Sequence, residues 1–357
     1  MVRTLNFLAN IFPVWVVVFC GLALIEPDWF TWFDKPKIIW GLGVIMLGMG
    51  ITLSVEDFRS VVKTPRPIAV GFVGQFLIMP FLGWSIATLM GLPTQFAVGL
   101  ILVSCCPGGT ASNVVAYIAR ANLPLSLLMT MCSTFGAIAL TPVLTKLLAG
   151  QLMPVDAWGL FQTTAKVVLI PILAGLLLHE RAPRLVKSIL PLAPLISVIT
   201  IALICASIIG GAMQLTQVEP AAPGAQLTEV EQTKVAFAES IKANLGKIVL
   251  AVGLLHLCAF GLGYGFARLF GYETIIRRTV SIEVGMQNSG LGAVLAKKHF
   301  FDPMTGISLA AVPCAISAVF HSVIGSVLAA IWRTRLPKEG AAVIPRKPKG
   351  RVEHDSA

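Results

Sequence analysis

The sequence predicts an all-α polytopic membrane protein. It reads as ten transmembrane helices in two inverted five-helix repeats, with discontinuous helices four and nine crossing at the midplane. Three observations carry this. The 357-residue chain is 56% hydrophobic and 12% charged, with mean hydropathy +0.84, whereas soluble domains carry about 25% charged residues. Apolar runs long enough to cross hydrocarbon, which takes roughly 20 helical residues, recur along the whole chain. Two polar, helix-breaking stretches interrupt the fourth and ninth of these runs.

Taken in order, the runs place spans at 12–26, 37–54, 67–91, 94–119, 123–148, 158–178, 188–213, 245–270, 275–298 and 306–333. The opening stretch MVRTLNFLANIFPVWVVVFCGLALI has the outline of a signal peptide. No small-x-small cleavage pattern follows it, so it reads as a retained first span with an interfacial lead-in. The glycines of GLGVIMLGMGITL on span two suit close helix packing. Residues 214–244 form a polar extracytoplasmic loop whose second part, 227–243, has the pattern of a surface helix. Residues 334–357 are polar and rich in Pro and Lys, the composition of a disordered cytoplasmic tail. Residues 1–333 read as one transporter unit. The seven cysteines all lie in apolar runs, as small buried hydrophobes rather than a disulfide framework or metal site.

Charge sets the orientation. With a cytoplasmic N-terminus and alternating spans, all 13 Arg and five Lys, 18 of the 27 basic residues, fall inside. This satisfies the positive-inside rule with both termini cytoplasmic, in a cell inner membrane. The net charge of +10 is spread over short loops and the tail, so no nucleic-acid partner is expected. The expected partners are the bilayer and a small organic anion, with the protein a monomer.

Of the 17 acidic residues, only Glu283 lies well inside a span. An ionisable group there is costly and marks function. Gln287, four residues on, shares its helical face. A matching stretch is SCCPGGTASNVV at 104–115. Pro107, Gly108 and Gly109 should break span four near its middle, and Thr110, Ser112 and Asn113 then stand where helix caps belong. Broken backbone at membrane depth is tolerated where it is buried or lines a cavity.

Five spans separate the two breaks, and an odd number per half inverts the halves. That is the layout of an inverted-repeat secondary transporter with its site at the midplane. A hard monovalent cation such as Na⁺ wants several oxygens. Ser112, Asn113, Ser126, Thr130 and Glu283 supply one group. Gln75, Glu283, Gln287 and the carbonyls of Val284 and Met286 supply a second. Half-helix N-termini near Thr110 and Asn288 favour an anion.

The stretches PGGTASNVVAYIARANLPLSLLMT and EVGMQNSGLG resemble those of the bile acid:sodium symporter (BASS) family, with its bacterial and plastid organic-anion members. The resemblance spans roughly residues 10–333. It implies a core of spans 3–5 and 8–10 (about 67–148 and 245–333) and a panel of spans 1, 2, 6 and 7 (about 12–54 and 158–213). It implies a first sodium site of Ser112, Asn113, Ser126, Thr130 and Glu283, and a second of Gln75, Glu283, Val284, Met286 and Gln287. Thr110, Gly109, Asn288 and Ser289 would face the substrate. The 214–244 loop and the basic tail depart from the family pattern.

The expected function is therefore sodium-coupled symport of an organic anion by alternating access, with two Na⁺ as coupling ions and no cofactor. The anion could be bile-acid-like, pantothenate-like or a keto acid, with a small carboxylate favoured. Two Na⁺ with a monovalent anion make transport electrogenic. A proton-coupled carrier and a non-transporting ligand sensor are the alternatives. A passive channel suits two broken helices less well, and no nucleophile–base or metal-ligand motif supports an enzyme. Lys166 reads either as snorkelling to the interface or as a carboxylate partner in the cavity. His256 and His321 read as satisfied core histidines, against a role in a proton path.

Overall fold

The structure, a computed structural model, describes residues 2–217 and 227–335. The rest of the predicted loop and the tail from 336 onward lie outside the described residues. Among those described, every regular element is a helix, and the one β feature is an isolated bridge between Gly108 and Gln287.

The chain opens with α1 (Val2–Asn10), α2 (Phe12–Ile25) and the short α3 (Asp28–Thr31). Then come α4 (Lys35–Thr52), α5 (Val55–Lys63), α6 (Pro65–Leu89), α7 (Thr94–Ser104), α8 (Ser112–Ile118) and α9 (Leu123–Ala149). A π-turn over Ala165–Leu169 joins α10 (Ala157–Thr164) to α11 (Ile170–Arg181). Pro171 follows it and lacks the N–H that would continue the α-helical ladder. After α12 (Pro183–Ile189) the chain runs through α13 (Ala193–Thr216), α14 (Glu229–Leu269), α15 (Thr274–Gly285), α16 (Ser289–His299) and α17 (Ala311–Thr334).

Helices occupy all ten predicted positions, but among the described residues six are long and apolar enough to cross a membrane alone. A seventh forms if α4 and α5, bent by 71° to each other, count as one span. The other predicted spans fall short for local reasons. α2 begins at Phe12, where its predicted span begins, and has only 14 residues before Glu26 ends it. The breaks split span four into 11 and 7 residues and span nine into 12 and 11. The predicted surface helix at 227–243 is instead the first part of α14. That helix has 41 residues and is about 60 Å long, twice the roughly 30 Å of hydrocarbon.

Leu, Val, Phe and Trp side chains stand exposed around the bundle, Leu89, Leu269, Trp40 and Leu147 among them. In water such a surface would be an aggregation liability; in hydrocarbon it is the solvated face. The protein is a multi-pass membrane protein. Of the cysteines, five are buried, Cys132 is half-buried and Cys258 is exposed, so the expectation that all seven pack inside fails at Cys258, on the outer side of α14.

The turn from α8 into α9 matters for the site. Arg120 adopts a left-handed conformation (φ 52°), and Ala121 N donates to the Ala116 carbonyl at 2.9 Å. Asn122 then caps α9, its Oδ1 accepting from Leu125 N at 3.1 Å, while its own N–H donates to Thr279 Oγ1 at 2.9 Å. Asn122→Ala should lower stability by about 1 kcal/mol, read as a fall in the thermal midpoint of the detergent-purified protein. A midpoint at or above that of the unsubstituted protein would show the cap to be idle.

Candidate functional site

The two breaks meet. Residues 105–111 leave the helix between α7 and α8, and residues 286–288 leave it between α15 and α16. Gly109 N donates to the Met286 carbonyl at 2.9 Å, and Asn288 N donates to the Pro107 carbonyl at 2.8 Å. Backbone groups orphaned at four helix ends thereby satisfy one another. The approach is close enough to require glycine. A Cβ on Gly109 would lie 2.7 Å from the Gln287 carbonyl oxygen, and one on Gly108 would lie 3.1 Å from Glu283 Oε2.

Glu283, at the end of α15, is 3% exposed. Its Oε1 accepts from Ser112 Oγ at 2.7 Å and from Ser126 Oγ; its Oε2 accepts from Thr130 Oγ1 at 2.7 Å. Ser126 Oγ also lies 3.0 Å from Asn113 Oδ1, and the Ser112 and Thr130 hydroxyls are 3.3 Å apart. All five residues of the first predicted group are thus brought together. Among the described residues, no basic side chain pairs with Glu283. The structure differs from expectation at the start of α8. Ala111 holds the cap position with no side-chain bond, and Ser112, the first residue of α8, turns its hydroxyl to Glu283. α16 does carry a side-chain cap: Asn288 Oδ1 accepts from Leu291 N at 3.0 Å.

Ser133 belongs to this cluster and was not foreseen. Its Oγ accepts from Gly108 N at 3.3 Å and donates to the Thr130 carbonyl at 3.1 Å. The signal was present, since 126, 130 and 133 follow the i, i+4, i+7 spacing of one helix face.

The second predicted group also gathers. Gln75 on α6 is buried, and its Nε2 donates to the Cys106 carbonyl at 2.9 Å. The Gln287 amide fits best with Nε2 donating to the Cys106 carbonyl (2.7 Å) and the Pro107 carbonyl (3.1 Å), and Oε1 accepting from Gln75 Nε2 (2.7 Å). Gln75 Oε1 is left buried with no hydrogen-bond donor, a costly state for an acceptor. Met286 offers its carbonyl to Gly109 N, and the Val284 carbonyl faces Gln287.

A cavity of about 200 Å³ lies against the crossing. Gly109, Thr110, Asn288 and Ser289 line it. Asn113 and Thr130 border both this cavity and the Glu283 cluster. The opposite wall comes from α2, α4 and α13, including Phe12, Met49, Thr52 and Ser197, which sequence reasoning did not single out. Among the described residues, the wall contains His321 and Ser322 but no Lys, Arg, Asp or Glu. Lys166 is exposed and does not line the cavity.

The lining residues come from the first half of α2, the second half of α4 and the first half of α13, which share one end of the bundle with Arg59, Arg66, Arg181 and Arg184. At the other end the walls meet. Thr163 Oγ1 on α10 is 2.8 Å from His299 Nε2 at the end of α16, and Lys35 Nζ on α4 stands 4.6 Å from the centre of the Phe301 ring.

Two crossed broken helices, a buried acid ringed by hydroxyls and an uncharged cavity beside it define the class: a helical membrane transporter. Residues 39–217 match the model of the sodium bile acid symporter family. A probable chloroplastic sodium/metabolite cotransporter, BASS2 of Oryza sativa subsp. japonica, is 45% identical over 93% of this chain and 72% of its own length. The probable chloroplastic sodium/metabolite cotransporter BASS1 of Arabidopsis thaliana is 45% identical over 92% of this chain and 74% of its own. The sodium-dependent transporter YocS of Bacillus subtilis is 37% identical over 94% and 95%. The chain belongs to the sodium bile acid symporter family, whose members are transporters and not enzymes.

Proposed function

We propose that this protein is a sodium-coupled symporter that imports a small organic anion by alternating access, with two Na⁺ at the crossing. The carrying observation is Glu283: one unneutralised carboxylate, buried within hydrogen-bond reach of three hydroxyls. Each hydroxyl can turn its proton aside and offer its lone pairs to a cation held beside the carboxylate without moving the backbone, which gives Na⁺ the all-oxygen shell it prefers. A second Na⁺ beside Gln75, Gln287 and the 284–286 backbone would satisfy the donorless Gln75 Oε1.

The coupling follows from charge. Asn113 and Thr130 border both the cluster and the cavity, so a carboxylate substrate would sit close to Glu283. Without cations the two anions repel; with Na⁺ bound the site accepts the anion, helped by the N-terminus of α16 and the free Asn288 amide. A cavity of about 200 Å³ suits a small carboxylate, since an engineered cavity of about 150 Å³ takes benzene.

Ten spans in two inverted repeats, with the core over α6–α9 and α14–α17 and the panel over α2, α4, α10–α11 and α13, account for the paired breaks and for the cavity between the two groups. With both termini in the cytoplasm of a cell bounded by its inner membrane, the cavity belongs to an inward-facing state, and the His299 and Lys35 contacts close the outer side. Two Na⁺ with one monovalent anion move net charge, and each charge gains about 2.3 kcal/mol per 100 mV.

The test is uptake of radiolabelled small carboxylates into proteoliposomes under a Na⁺ gradient, a pH gradient, or neither. Uptake that follows pH and ignores Na⁺ overturns the proposal. Gln75→Ala should raise the Na⁺ concentration for half-maximal uptake about tenfold, the scale for losing a supporting ligand; an unchanged value would remove Gln75 from the site.

A further inference from the structure

Two buried histidines play no part in the reading above; three hydrogen bonds join them, and a fourth ties the first to the backbone of the crossing. His256 on α14 places Nδ1 2.9 Å from the Gly285 carbonyl oxygen and Nε2 2.8 Å from Ser317 Oγ on α17. Ser317 Oγ lies 2.9 Å from Ser289 Oγ at the start of α16, and Ser289 Oγ lies 3.2 Å from His321 Nε2. The two rings stand edge to face, 5.4 Å between centres.

One anchor sets every proton in this chain. A carbonyl oxygen only accepts, so His256 Nδ1 carries the proton. With the ring neutral, its Nε2 must then accept. Ser317 therefore donates to His256 and accepts from Ser289, and Ser289 accepts from His321 Nε2. His321 Nδ1, buried and without a partner, is left as a bare acceptor at the far end, on a residue that lines the cavity.

The anchor itself sits in the crossing. Gly285 ends α15, where helix carbonyls lose their partners; Met286 N takes the Ile282 carbonyl, and Ser289 N turns to Gln287. The Gly285 carbonyl is held by His256, while the next carbonyl, that of Met286, is held by Gly109 N. Together they fix the peptide planes on both sides of the backbone that offers oxygens to the second cation. Phe260 locks the same residue sterically, since a Cβ on Gly285 would meet its ring at 2.5 Å.

We infer that His256 is a positioning residue for the cation-binding backbone at 284–286, and that Ser317 and Ser289 carry its orientation to His321 in the cavity wall. The inference rests on the sodium reading of the crossing. It makes a buried hydrogen-bond chain, separate from the ligands themselves, the route by which the cation site and the cavity sense each other.

The experiment uses the full chain, purified in detergent, with Na⁺ titrated against K⁺ at constant ionic strength. Na⁺ affinity is read from the thermal midpoint, and the histidine rings from ¹⁵N spectra of histidine-labelled protein. His256→Ala should weaken Na⁺ about tenfold, the scale for groups that orient metal ligands. His256→Asn, whose amide can reach the Gly285 carbonyl in place of Nδ1, should stay within about threefold of the unsubstituted protein. In the unsubstituted protein, Na⁺ should shift the ring signals of both His256 and His321. In Ser317→Ala it should shift those of His256 alone. Equal Na⁺ affinity across all three proteins overturns the positioning role, and a His321 signal that still follows Na⁺ in Ser317→Ala overturns the relay. Should His256→Ala fail to fold, the Ser317→Ala spectra still decide. An unsubstituted protein indifferent to Na⁺ overturns the sodium reading first and this inference with it, so the two failures are told apart.

Discussion

Glu283→Gln is expected to reduce Na⁺-driven uptake to background while the protein stays folded. The amide keeps the shape of the carboxylate and its carbonyl oxygen can still accept from Ser112 and Ser126, so the crossing survives. What disappears is the single negative charge. A cation about 4 Å from a unit charge gains roughly 4 kcal/mol at an effective dielectric constant of 20, which is about a thousandfold in affinity. Among the described residues, no acidic side chain lies in the cavity wall to replace it. The measurement is uptake into proteoliposomes with inward Na⁺, alongside Na⁺-dependent shifts of the thermal midpoint. If Glu283→Gln transported within twofold of the unsubstituted protein, the carboxylate would have no coupling role.

Gly109→Ala should force the crossing apart by the addition of a single methyl group. The added carbon would meet the Gln287 carbonyl oxygen at 2.7 Å and its carbonyl carbon at 3.1 Å. Both are backbone, and neither can rotate away. Relief requires the breaks to separate, which strains the bonds from Gly109 N to Met286 and from Asn288 N to Pro107. Overpacking of 1–3 kcal/mol and a weakened pair of hydrogen bonds give a loss of about 3 kcal/mol, with uptake lost alongside. Gly261→Ala is the control. It lies on the outer side of α14 with no atom within 4 Å of an added carbon, and alanine there should hold or raise the midpoint, since it is the better helix former. Equal midpoints for the two variants would mean that the crossing tolerates separation.

Most of the site's components were legible because the signals are local. Pro107, Gly108 and Gly109 announce a break through their own backbone chemistry, and Glu283 stands out because a carboxylate within an apolar run is expensive wherever that run ends up. Ser126 and Thr130 share a face by helix periodicity alone. Other residues gave no such signal. Ser133 looked like any small residue on α9 until Gly108 N arrived beside it. His321 looked like a core histidine; three of its neighbours in the hydrogen-bond chain come from α14, α16 and α17 itself, and its place in the cavity wall depends on α2 and α13. Thr52 and Ser197 are ordinary polar residues in apolar helices, made notable only by facing a cavity. Lys166, a basic residue away from the ends of its predicted span, drew attention by its charge and lies on the outer surface.

By itself, the sequence determined the membrane class, the positions of the helices, the two breaks and the identity of the acid between them, because hydropathy, proline and glycine act over a few residues of chain. Only the tertiary structure decided that the breaks pair with each other, that hydroxyls more than 150 residues away in sequence close on Glu283, and which helices wall the cavity. Those outcomes depend on how orphaned backbone and buried polar groups find partners across the bundle, and that choice exists only once the helices are packed.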